Sequence, residues 1–204
     1  MSWATTFVNP LKTGPTVLVA AVGRAEGAGG AAAALACAGA DLDLATLLID
    51  VGGKAPRPAL LTSTAAQRLE ERLAAHLPDA LVAARGQVCH LAMSADAEGL
   101  ESAVAAAAAA REATAVVHVP PHLLQEALDC GLCPSGVLLR AELAEDRPLL
   151  ALAARDLLTR GLAFAVLKRR LSWVAERRAL FGALPTGSQG ALPTRLARRL
   201  GVSG

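Results

Sequence analysis

The chain has 204 residues, 53% hydrophobic and only 2% aromatic, with 20 Lys and Arg against 18 Asp and Glu for a formal net charge of +2. That length buries roughly 70% of the surface an unfolded chain exposes, enough for one domain that needs no covalent staple. Three Phe, two Trp and no Tyr leave the core to Ala, Leu and Val and exclude any enzyme that works through a tyrosine hydroxyl.

From the N-terminus, an apolar run at Thr16 to Val22 predicts a strand, a glycine-rich segment follows from Gly23 to Gly30, and an alanine-rich helical stretch continues to Gly39. Strand, loop and helix in that order are the layout of a phosphate-binding loop. There the N–H groups of the loop and first helical turn hold phosphate oxygens, while a lysine and a Ser/Thr hydroxyl add charge and Mg²⁺. Here Ala31, Ala32 and Ala33 stand at those last places. A second strand is predicted at Ala45 to Asp50.

Thr64 and Gln67 have capping-box spacing, and Leu69, Leu73 and Leu77 form a buried stripe opposite Arg68, Glu70, Glu71 and Arg72 until Pro78 ends the helix. A short strand near Ala80 to Ala84 and another at Val88 to Met93 come next. Ser94 or Asp96 starts a helical run to Ala113, in which Ala105 to Ala110 are consecutive alanines, a low-complexity stretch that still favours helix. Strands are then predicted at Ala115 to Val119, Gly136 to Arg140 and Ala163 to Lys168. Asp146, Pro148 and Gly161 mark the cap, first turn and end of the helix between the last two. Alternating strands and helices with β-branched apolar strands predict an α/β three-layer sandwich with a mainly parallel sheet. The domain is expected over residues 1–181, with a basic tail over 182–204.

Charge is uneven. Residues 1–160 hold 12 Lys and Arg against 17 Asp and Glu, a balance of −5, and residues 161–204 hold 8 against 1, a balance of +7. Lys168, Arg169, Arg170, Arg177 and Arg178 fall in or near a predicted helix, followed by Arg195, Arg198 and Arg199. Such a segment suits an acidic or phosphate-rich partner, and equally a solvated tail. The four cysteines, the absence of a long apolar run and an N-terminus too polar for export predict a cytoplasmic protein with reduced thiols and no transmembrane segment.

The loop, the LLID strand end at Leu47 to Asp50 and the AVVHVPP stretch at Ala115 to Pro121 together resemble the MinD/ParA family of P-loop ATPases, and in particular their CpaE/TadZ relatives. The family loop KGGxGK[ST][ST] falls on Glu26, Gly27, Ala28, Gly29, Gly30, Ala31, Ala32 and Ala33. The signature lysine is thus Glu26, the phosphate lysine Ala31 and the Mg²⁺ hydroxyl Ala32, and His118 stands where the family has the aspartate of its third motif. The resemblance implies a P-loop NTPase-like fold with a vestigial nucleotide or anion site at Gly23, Gly27, Gly29, Gly30 and Asp50. With charge and metal ligands gone, it implies no catalytic residue, no metal and no required cofactor. A scaffold or localisation role follows, with a second copy and pilus or secretion components as partners. In the family the signature lysine reaches a partner's nucleotide, so Glu26 implies self-association that does not depend on ATP.

Rival readings stay open at this point. A weak ATPase would have to recruit its lysine or arginine from elsewhere, and Arg24 and Lys54 are nearest in sequence. Gly23, Gly27 and Gly29 also have the GxxxGxG spacing of short-chain dehydrogenases, with Asp50 placed for a ribose, but their Tyr-x-x-x-Lys pair has no Tyr here, leaving only a non-catalytic dinucleotide module. Cys130 and Cys133 form one CxxC that Cys89, His90, His118 and His122 could supplement toward a zinc site, although Pro120 and Pro121 separate the last two histidines. Asp41 and Asp43 read as a turn or cap.

Overall fold

The computed structural model describes residues 16–23, 27–40, 44–52, 64–76, 81–85, 88–110, 113–141 and 146–167. The tail, the boundary at 181 and 182, Arg24, Glu26, Asp41, Asp43, Lys54 and Leu77 lie outside the described residues. The elements in chain order are β1 (Thr16–Ala21), α1 (Ala28–Ala40), β2 (Thr46–Val51), α2 (Thr64–His76), β3 (Leu81–Arg85), β4 (Val88–Met93), α3 (Ala97–Ala109), β5 (Thr114–Val119), α4 (Leu124–Asp129), β6 (Gly136–Arg140), α5 (Arg147–Thr159) and β7 (Phe164–Leu167), with a 3₁₀ turn at Pro121–Leu123 before α4.

Seven strands form one sheet in the order β3-β4-β2-β5-β1-β6-β7. Six of them run parallel, and β3 at the edge pairs antiparallel with β4. The sheet is covered on both faces, which is why β1, β2, β5 and β6 are buried along almost their whole length.

Successive side chains of a strand point to opposite faces, and the two core clusters divide accordingly. Val17, Val19, Leu48, Val88, Val116 and Leu138 pack beneath the alanines of α1. Leu18, Ile49, Leu91, Val117 and Leu139 face the other way, against Leu69 and Leu73 of α2, Leu100 and Ala103 of α3, Ala127 of α4 and Leu157 of α5. Alanine on α1 lets that helix lie close to the sheet.

Asp96 starts α3 as its N-cap, accepting from Gly99 N at 2.9 Å, while the Ser94 hydroxyl donates to the same carboxylate oxygen at 2.7 Å. These two bonds, the serine first, hold the Asp96 carboxyl below the ordinary aspartate range. The helix stops at Ala109 rather than Ala113, because Ala113 bonds back to Ala110 O and Thr114 already joins β5. Asp146 takes the N-cap position of α5 as the sequence predicts, yet its side chain makes no capping bond. It is buried elsewhere, as described below. Among the described residues no helix is long and apolar enough to cross a membrane.

Candidate functional site

The C-terminal ends of β2, β5, β1 and β6 form the edge at which the chain crosses from β1 to α1. Val22 N donates to Arg140 O of β6 at 2.8 Å, extending the β1–β6 ladder by one bond, and Gly23 then turns the chain with φ +63°. Gly27, with φ +86°, ends the loop, and its carbonyl accepts the first helical bond from Ala31 N at 3.0 Å. The helix therefore begins at Ala28, earlier than the sequence pattern implies, and Ala28 packs on Ala21. Ala28, Gly29 and Gly30 fill its first turn, whose N–H groups precede any intrahelical partner. Gly29 and Gly30 are buried, whereas Gly27 is exposed.

Counted from Gly23, the general G-x-x-x-x-G-K-[ST] spacing places Ala28, Gly29 and Gly30 at its last three positions, while the family pattern places Ala31 and Ala32 at the lysine and hydroxyl. In neither register does an ammonium or hydroxyl group stand in the first helical turn. Gly23 has a neighbour the sequence did not indicate: a Cβ built on it would run into the Asp146 carboxylate, which is only 4% exposed.

A second polar group lies on the α1 face of the sheet. Alternation puts Asp50, His90, His118 and Arg140 on the same side as Leu48, Val88, Val116 and Leu138. Asp50 is fully buried and pairs in register with His118 on β5. Its Oδ1 accepts a hydrogen bond from His118 Nδ1 at 2.8 Å, and His90 Nε2 stands 4.0 Å from Oδ2. Two of the sequence-marked features, the strand-ending aspartate and the histidine at the aspartate position, are thus joined directly. The imidazole takes the place beside Asp50 where a second carboxylate would need a cation between the two. Arg140, 2% exposed, ends β6 on the same face.

The sequence marks Arg140 only as a strand end and Asp146 only as a helix cap. Arg140 carried a signal, a single charge ending the apolar run GVLLR just as Asp50 ends TLLID. Asp146 carried none beyond its helix cap, since its proximity to Gly23 is a long-range contact.

The zinc alternative finds no assembled ligand set. Among the described residues no group of three or more His, Cys, Asp or Glu is placed to hold a metal ion. Cys130 Sγ donates to Ala127 O at 3.3 Å, Cys133 is exposed, and His122 sits in the 3₁₀ turn, three residues past β5. Cys89 is buried on the opposite face from His90, and burial first, with the Glu70 charge second, pushes its thiol up to about 12. A buried neutral thiol is inert. At pH 8, a disulfide reagent is expected to label Cys133 promptly in native protein and Cys89 only after denaturation; native labelling of Cys89 would show an open path to the sheet.

No protein-family model and no curated protein matches the chain. Among solved structures, it is similar to a plasmid partition protein from Borrelia burgdorferi, with TM-score 0.56 and 13% identity over 93% of this chain and 96% of that one. It is also similar to a ParA family ATPase from Chlorobium tepidum TLS, with TM-score 0.53 and 12% identity over 93% of this chain and 95% of that one. At such identities the likeness is one of fold. The chain has a MinD/ParA-like, P-loop NTPase-like α/β fold.

Proposed function

We propose that this chain is a degenerate relative of the MinD/ParA ATPases, of the CpaE/TadZ kind, that acts as a non-catalytic scaffold or localisation protein. The observation that carries the reading is the Asp50–His118 hydrogen bond at 2.8 Å. Phosphoryl transfer needs fixed positive charge and a metal ion at the transferring group. Here the aspartate next to last in β2 is engaged by an imidazole, and the first turn of α1 is built from alanine and glycine.

An anion or nucleotide held at Gly23 to Gly30 would therefore bind through backbone N–H groups alone, as a structural ligand rather than a substrate. The partners in this reading are a second copy and components of a pilus or secretion machine at the cytoplasmic side of a membrane. An acidic or phosphate-rich surface would meet the basic segment beyond residue 168.

Purified protein is expected to release no phosphate above buffer from Mg²⁺-ATP, and its light scattering should be the same with and without the nucleotide. Turnover that disappears in Lys54→Ala or Arg24→Ala would overturn the proposal in favour of an ATPase with a recruited cation. A monomer that dimerises only with nucleotide would show a working switch.

A further inference from the structure

On the sheet face opposite α1, a cavity of about 460 Å³ opens between α4 and α5. Its floor is the end of β1 at Ala21, Val22 and Gly23, and its walls are Leu124 and Leu128 on one side and Leu149 and Leu152 on the other. Arg160, just past the end of α5, has its Nη1 2.6 Å from Asp129 Oδ1 and its Nε 2.9 Å from Asp156 Oδ2, so the C-terminal ends of α4 and α5 are tied together. Among the described residues the exposed large hydrophobic side chains are Leu149 at 51%, Leu152 at 67% and Leu158 at 67%, all on α5. Leu149 and Leu152 are three residues apart and line the groove, whereas Leu158 lies outside it.

We propose that this groove is the docking site of the chain's own C-terminal segment, residues 168–184, with Trp173 and the neighbouring apolar side chains covering Leu149 and Leu152. Position is the first argument. Leu167 pairs with Arg140, and Arg140 with Ala21, in one row along the C-terminal edge of the sheet. At a strand spacing of about 4.8 Å, the last described residue of β7 stands roughly 10 Å from the floor of the groove. Trp173 is six residues further on, a reach of up to about 20 Å.

Composition is the second argument. The segment contains Leu171, Trp173, Val174, Leu180, Phe181 and Leu184, hence two of the chain's five aromatic residues, and buried aromatic area dominates such contacts. A groove of this kind covered by such a segment leaves no exposed apolar patch.

The test uses the full chain carrying Trp3→Phe, so that Trp173 is the sole tryptophan. Its emission is expected to be blue-shifted and poorly quenched by acrylamide, independent of protein concentration. Leu152→Asp should shift the emission to the red and raise quenching several-fold, while Leu158→Asp, on the same helix outside the groove, should change neither. Far-UV circular dichroism of both variants reports that the fold is kept. Trp173 emission that is red in the parent, or that ignores Leu152→Asp, overturns the proposal. So does protection that is lost on dilution together with a dimer in sedimentation, since the occupant is then a second copy.

Discussion

Replacing His118 with leucine is expected to cost about 1–3 kcal/mol of folding stability, the range for removing one partner of a buried hydrogen bond. Asp50 has no exposed surface, and its Oδ1 takes the His118 Nδ1 proton at 2.8 Å, so the variant removes that bond from a buried carboxylate. Asp50→Leu should be costly for the converse reason, leaving the imidazole facing leucine. The double variant Asp50→Leu/His118→Leu should recover most of the loss, since a buried pair replaced by apolar side chains of similar volume is often neutral. Urea unfolding of the four proteins closes the cycle. Additive losses would mean that the two side chains stabilise the sheet independently.

Gly23→Ala is the second large effect, and Gly131→Ala is its matched control. Both glycines have left-handed φ, +63° and +88°, and alanine there costs roughly 1–2 kcal/mol. A methyl at Gly131 meets nothing within 4 Å, so that variant should lose only the backbone cost. At Gly23 the methyl collides with the Asp146 carboxylate and comes within 3.2 Å of Leu149 Cδ1. Overpacking adds about 1–3 kcal/mol, and the buried carboxylate must shift with α5 behind it. Thermal or urea denaturation should rank Gly23→Ala well below Gly131→Ala. Equal losses would mean that α5 yields freely.

Strands β1, β2, β5 and β6 were legible in the sequence because they are buried on both faces and read as continuous apolar runs. Val88–Met93 and Gly136–Arg140 match their predicted ends, β1, β2 and β5 differ from theirs by one residue at one or both ends, and β7 starts one residue late, with its predicted end at Lys168 outside the described residues. The edge strand β3 was placed to within a residue, but its antiparallel direction could not be read. It depends on the short connection to β4 rather than on any property of Leu81–Arg85. The start of α1 was obscured by Gly29 and Gly30, which ordinarily weaken a helix interior but sit here in a first turn that asks for no hydrogen-bond partner from them.

At the site, LLID and VVHVPP could each be recognised locally, whereas the Asp50–His118 contact spans 68 residues of sequence and becomes visible only in the register of β2 with β5. Asp146 illustrates the same limit. Its position before Arg147 and Pro148 announces a helix cap, and its burial against Gly23 depends on where β6 delivers α5.

The strand order has a consequence for synthesis. β1 sits between β5 and β6, so Thr16 must wait for Ala115, and Val17 for Gly136, before either edge of the strand is paired. During translation the segment TVLVAA emerges before either partner as an unpaired, uncharged β-prone stretch, the kind that associates with other nascent chains. The hairpin of β3 and β4 can close locally much sooner, but it lies at the far edge of the sheet and shields nothing of β1. The nascent chain thus carries β1, an interior strand of the finished sheet, without either neighbour until β5 has followed it.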